Sequence, residues 1–199
     1  METTKPSVKI LKILLKDFTV KPTITMLAQE MKMSRVGIWK ILKRLEAEKL
    51  IILSPVGSGK TSVFSVGLNR ENPLVEKTLS LALSEDAIKN QRWCSNFAEL
   101  ENKVDFLLLY GSILHSQKEA HDIDILGVTH KNEFLNIEES IKKIQKTQIK
   151  KIHALHFTPA EFKYELEKPN SIFIDAVKKG IILFGQEKFT KFIKSISRK

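Results

Sequence analysis

Cysteine is almost missing from this chain. Cys94 stands alone, so no internal disulfide can form and disulfide-stapled secreted folds are excluded. Proline and glycine are sparse, 6 and 8 of 199 residues, which argues against a long disordered linker. No apolar run approaches the roughly 20 residues that a membrane helix needs. The opening stretch METTKPSVKILKILLKDF has lysines throughout its apolar residues, unlike a signal peptide. These absences predict a cytoplasmic chain without a membrane partner. Cys94 itself reads as a structural, buried thiol.

What is present is an ordinary globular balance, 42% hydrophobic and 28% charged, on a length that suits one or two small domains. The net charge of +10 is unevenly placed. Residues 1–70 carry 13 Lys+Arg against 5 Asp+Glu, while residues 71–199 carry 20 against 18. A basic excess concentrated in the first third is the electrostatic footprint of a polyanion-binding surface.

Periodicity divides that first third into helices. Val8, Ile10, Leu11, Ile13, Leu14 and Leu15 among lysines predict an amphipathic helix over Ser7 to Phe18. Pro22 breaks the chain, and Thr23 caps a second helix with Ile24, Leu27, Ala28 and Met31 on its buried stripe. Ser34 caps a third, in which Ile38, Ile41, Leu42 and Leu45 follow helical spacing. Its opposite face carries Arg35, Val36, Trp39, Lys40 and Lys43. Ile51–Leu53 and Thr61–Val66 then read as two strands around a glycine-containing loop.

Three helices followed by a hairpin, with Ile24 to Ile52 as the core of the pattern, resemble the winged helix-turn-helix domains of prokaryotic regulators. In that family the third helix enters the major groove and the wing touches backbone or minor groove. The resemblance implies DNA as a partner. It places Ser34, Arg35, Trp39, Lys40 and Lys43 on the reading helix, and Ser58 and Lys60 on the wing. Such domains also serve as dimerisation or docking modules, and a homodimer is compatible with this reading.

Gly57-Ser-Gly-Lys-Thr61 looks like the end of a phosphate-binding loop. The full motif needs a glycine where Ser54 stands and a helix where Ser62-Val-Phe-Ser-Val66 follows. The segment therefore reads as a hairpin tip.

Residues 71–103 have helical composition and read as a connector between domains 1–70 and 104–199. Trp93 and Phe97 are one turn apart and read as core. Val104 to Tyr110 is a near-continuous apolar run, predicting a buried strand. It ends in Gly111-Ser112, and nine residues later comes Asp122-Ile-Asp-Ile-Leu-Gly-Val128. On a strand, Asp122 and Asp124 project from one face. Two adjacent acids repel each other and lose hydration, an arrangement that a divalent cation relieves. A helix over Glu133 to Lys146, a strand over Ile149 to Phe157, a helix from Pro159 and a strand over 181–184 follow. The chain as a whole reads as mixed α+β.

Apolar strand, Gly-Ser, then Asp-apolar-Asp-apolar resembles the polymerase beta-like nucleotidyltransferase superfamily, especially its minimal members, over Phe106 to Val128. That resemblance implies a mixed-sheet α/β domain transferring a nucleotide from an NTP. Gly111 and Ser112 would hold its phosphates, and Asp122 and Asp124 would hold Mg²⁺. A protein or RNA acceptor is compatible with it. One departure stands out. Catalytic members carry a third carboxylate on the next strand, and here Lys151 to Phe157 offers His153 at the aligned position. Magnesium prefers oxygen, so His153 is not a usual ligand for it; it reads either as a base near neutral pH or as a partly buried polar residue. Glu161 stands further on, with no spacing rule to bring it in. The expectation is a nucleotidyltransferase coupled to a winged helix. The alternative is a non-catalytic DNA-binding regulator whose second domain only binds a ligand or partner.

Overall fold

The computed structural model describes residues 5–56, 63–168 and 172–196. Ser58 and Lys60, assigned to the wing tip, lie outside the described residues. Two compact units form a mixed α+β protein: Met1–Ala82 with Ile193–Lys199, and Leu83–Phe192. The division falls inside a helix, between Ala82 and Leu83, so residues 71–82 go with the first unit and 83–103 with the second. Among the described residues no helix is long and apolar enough to cross a membrane.

In the first unit, helix α1 (Pro6–Lys16) starts on a proline whose fixed φ suits a first turn. It buries Ile10, Leu11, Leu14 and Leu15. Helix α2 (Ile24–Met31) is capped by Thr23, whose hydroxyl accepts from the Met26 N–H at 3.3 Å. It stops at Lys32 in the left-handed conformation, φ 52°. Helix α3 (Arg35–Ala47) starts at Ser34, whose Oγ accepts from the Gly37 N–H at 3.1 Å. Its Ile38, Leu42 and Leu45 are fully buried, and truncating one such leucine to alanine costs about 2–5 kcal/mol. Strands β1 (Ile51–Val56) and β2 (Val63–Leu68) pair antiparallel, from Ile51 opposite Leu68 to Val56 opposite Val63. A bridge between Thr23 and Ser65 ties the start of α2 to β2. This is a winged-helix arrangement. The Arg70 guanidinium donates to the Ile193 and Lys194 carbonyls, which fastens the end of the chain to this unit.

Helix α4 (Pro73–Lys89) leads into helix α5 (Gln91–Asn96) and a 3-10 turn over Ala98–Lys103. The sheet of the second unit has strands β3 (Phe106–Tyr110), β4 (Asp122–Val128), β5 (Lys151–Phe157) and β6 (Ile181–Phe184) in the order β5-β4-β3-β6. β4 and β5 are parallel; β3 runs antiparallel to both of its neighbours. Helix α6 (Phe134–Gln145) carries the crossover between β4 and β5, as a parallel connection requires. Helices α7 (Pro159–Glu167), α8 (Ile172–Lys179) and α9 (Gln186–Ile196) complete the chain. The Ile149-to-Phe157 strand expected from the sequence begins later, at Lys151, and leaves Ile149 fully exposed.

The sheet has two unlike faces. On one, Leu107, Leu109, Ile123, Ile125 and Ile152 pack with Trp93, Phe97, Leu100, Ile137 and Ile144. On the other, Phe106 sits 5.3 Å from Phe189, 5.4 Å from Phe192 and 6.1 Å from Phe162 between ring centroids. Phe157 and Phe173 extend that cluster. The aromatics occupy only one end of this face. Toward the other end the same face turns polar: Tyr110 on β3, Asp122 and Asp124 on β4, and Lys151 and His153 on β5.

Candidate metal centre and nucleic-acid interface

Strand register assembles the polar end. Asp124 pairs with Tyr110 on one side and His153 on the other, and Asp122 pairs with Lys151. Directly paired residues share a face, and alternation puts Asp122 on the same face as Asp124. His153 Nδ1 lies 3.2 Å from Asp122 Oδ2 and 3.6 Å from Asp124 Oδ1. One donor atom from each of the three residues falls within 4.8 Å of the others. All three side chains keep partial exposure, His153 the most at 46%.

The electrostatics follow from this crowding. Burial first, and Asp122 second, push the Asp124 carboxyl above its usual range, while His153 pulls the other way. Tyr110 is pushed up to about 12 by burial and then by Asp124 and Asp122. Tyr110 was not among the residues singled out from the sequence. Its place at the end of the strand before Gly111 was the available signal. Perturbed titrations of this kind concentrate at functional sites.

Gly111 has φ +83°, and a Cβ there would meet Asp124 Oδ2 at 2.2 Å. The positive φ and the close approach of the Asp124 carboxylate both favour glycine here, with no phosphate needed to explain it. Ser112 is exposed and opens a 3-10 turn, Ser112–Leu114. His156 lies on the opposite face, its ring edge-on to Phe134 at 4.5 Å and its Nε2 3.7 Å from Glu138. Glu161 is occupied elsewhere. It closes the capping box of α7, accepting from the Thr158 N–H at 2.8 Å and hydroxyl at 2.9 Å, and it lies 3.6 Å from Lys131.

On the first unit, Arg35, Val36, Lys40 and Lys43 are exposed along α3. Trp39 is half-buried against Phe64 of β2, with ring centroids 5.6 Å apart, so it joins the helix to the hairpin as well as facing outward. The Lys43 ammonium sits 5.0 Å over the Trp39 ring and 2.8 Å from Glu46. Ser34 is spent on its cap. Arg35 and Lys40 are thus the cations of this set least engaged within the protein.

No family model matches this chain, and no curated protein matches it. Two solved structures are similar to it, both of ZitR from Lactococcus lactis. One is described as a zinc-responsive MarR family member, at 23% identity and a TM-score of 0.36, covering 52% of this chain and 69% of that one. The other is a cysteine-to-serine mutant of ZitR, at 19% identity and a TM-score of 0.33, covering 74% and 76%. The expected membership in the polymerase beta-like superfamily is not upheld: neither a family model nor a curated relative supports it or nucleotidyl transfer, and no nucleotidyltransferase is among the similar structures. The transferase function, with its NTP, its acceptor and its magnesium chemistry, is withdrawn. The physical reason is that Gly-Ser followed by Asp-x-Asp is a short local pattern. A glycine making room for a carboxylate produces it as readily as a triphosphate cradle does.

Proposed function

We propose that this protein is a DNA-binding regulator whose second unit takes a divalent transition-metal ion at Asp122, Asp124 and His153. The exposed basic face of α3 on a winged-helix frame carries the DNA-binding reading. Arg35, Lys40 and Lys43 lie where such a frame meets phosphates and base edges.

The metal reading rests on the donor set. Two carboxylates and one imidazole suit zinc, manganese or a similar ion better than magnesium, which favours an all-oxygen shell. Bonds of about 2.0–2.2 Å put the donors of a tetrahedral ion roughly 3.4 Å apart. The His153 contacts of 3.2 and 3.6 Å bracket that value. An ion there neutralises the Asp122–Asp124 repulsion and leaves a coordination position for water or another ligand.

Two measurements on the full chain test this reading. Fluorescence anisotropy with a labelled duplex at about 50 mM salt should show binding that falls steeply as salt rises. Calorimetry should show uptake of Zn²⁺ or Mn²⁺ in preference to Mg²⁺, abolished by combining Asp122→Asn with Asp124→Asn. A chain that ignores duplex DNA at low salt sinks the first part. Unchanged metal uptake in the double variant sinks the second.

A further inference from the structure

Behind the polar end of the sheet, on the other face, is a cleft of about 320 Å³. Ile123, which lies between Asp122 and Asp124 in the chain, contributes to its lining. The floor includes Trp93, 4% exposed. Arg92, Gln117, Gln148 and Lys150 supply its polar lining. Ile149, with no cover of its own, stands at the rim. The volume falls at the lower end of the roughly 300–1,000 Å³ typical of small-molecule sites.

Its charge has one sign. Two cations line the cleft, and none of the described lining residues is acidic. The segment 142–151 adds Lys142, Lys143, Lys146 and Lys151 without a carboxylate. Both cations are held in place by neutral partners. The Arg92 guanidinium lies 5.4 Å over the Trp93 ring and donates through Nη1 to Gln117 Oε1 at 3.0 Å. The Lys150 ammonium donates to the Ala120 carbonyl. A guanidinium has five N–H donors and an ammonium three, so most of their donor capacity stays unspent. Positioned cations with spare donors, beside apolar lining and with no acid among the described lining residues, make a receptor for an anion carried on an apolar body.

We propose that this cleft binds a small organic anion. Its carboxylate, phosphate or sulfonate group sits between Arg92 and Lys150, and its apolar part lies along Trp93 and under Ile149. The site is separate from the Asp122–Asp124–His153 cluster and does not depend on it.

The test uses full-length protein carrying Trp39→Phe, which leaves Trp93 as the single tryptophan of the two in the chain. The probe is 8-anilinonaphthalene-1-sulfonate, read by energy transfer from Trp93, with uncharged N-phenyl-1-naphthylamine as its neutral counterpart. The anionic probe should bind saturably at one site, and about tenfold or more tighter than the neutral one. Arg92→Gln and Lys150→Gln should each weaken the anionic probe about tenfold, as loss of a charged hydrogen bond does. Neither change should alter the neutral probe more than about twofold. Equal affinity for the two probes overturns the proposal, and that comparison needs no cleft variant to fold. Retention of anionic affinity in both folded variants overturns it as well.

Discussion

His153 stands in register with Asp124 across the parallel β4–β5 pair, yet its Nδ1 lies nearer to Asp122, 3.2 Å against 3.6 Å. The imidazole therefore spans both carboxylates instead of pairing with its register partner alone. Removing either acid changes what the histidine faces, and the variants below separate these effects.

Asp124 should be a burden to the metal-free protein. An acid whose folded pKa lies above its unfolded one holds its proton more tightly in the folded chain. Folding is then favoured where the acid is protonated in both states. That advantage is lost as pH rises from the ordinary value of 3.8 through the raised one. In chelator, Asp124→Asn should melt with the wild type at low pH and one to a few degrees higher at neutral pH. Thermal scans across pH check this; a variant that melts lower at neutral pH refutes it. Added Zn²⁺ should reverse the order, stabilising the wild type only.

Gly111→Ala should damage the cluster more than the fold. The new Cβ would occupy the space of Asp124 Oδ2, at a φ that only glycine adopts freely. Asp124 must move, so metal affinity should fall at least about tenfold while the far-ultraviolet spectrum is retained. Unchanged affinity in calorimetry would show that Asp124 takes no part in binding.

Along α3, the cations should not contribute equally. Arg35→Ala and Lys40→Ala should each weaken duplex binding and reduce the salt slope by about one. Lys43→Ala should do less, because its ammonium is already shared between Trp39 and Glu46. Trp39→Ala should lower the stability of the first unit as well, through the lost contact with Phe64. Titrations at several salt concentrations, paired with melting curves, distinguish contact from packing.

Thr158→Ala should cost about 1 kcal/mol of stability, as N-cap losses do, through the cap it makes with the Glu161 N–H at 3.2 Å. Metal uptake should be unchanged, because Glu161 serves α7 and not the cluster. A loss of metal binding in this folded variant would refute the separation of Glu161 from the cluster.

Much of this molecule is legible in its residues. The caps Thr23 and Ser34 and the spacing of Ile38, Leu42 and Leu45 mark α2 and α3 because helix ends and faces are set by local chemistry. The alternation of Asp122 and Asp124 with Ile123 and Ile125 marks the two faces of β4 for the same reason. The partners of β4 are another matter. That β5 lies alongside it, parallel and in a register that pairs Asp124 with His153, depends on packing across residues far apart in the chain. So does the lodging of Asp124 Oδ2 against Gly111, which from the sequence looked like a phosphate contact. Glu161 shows the same limit, since only its bonds to Thr158 reveal that it closes a helix.

The crossover through α6 has a consequence for how the cluster comes into being. A chain in which β5 has not yet docked holds both aspartates and no donor from the third residue, so it has little with which to hold an ion. Parallel pairing over such a separation forms late, after its loop-closure cost has been met. Ions bound by contacts absent from the transition state slow escape from the native state without hastening arrival there. For this protein a bound metal would therefore act as a latch: refolding rates stay the same with and without it, and the lifetime of the folded second unit lengthens.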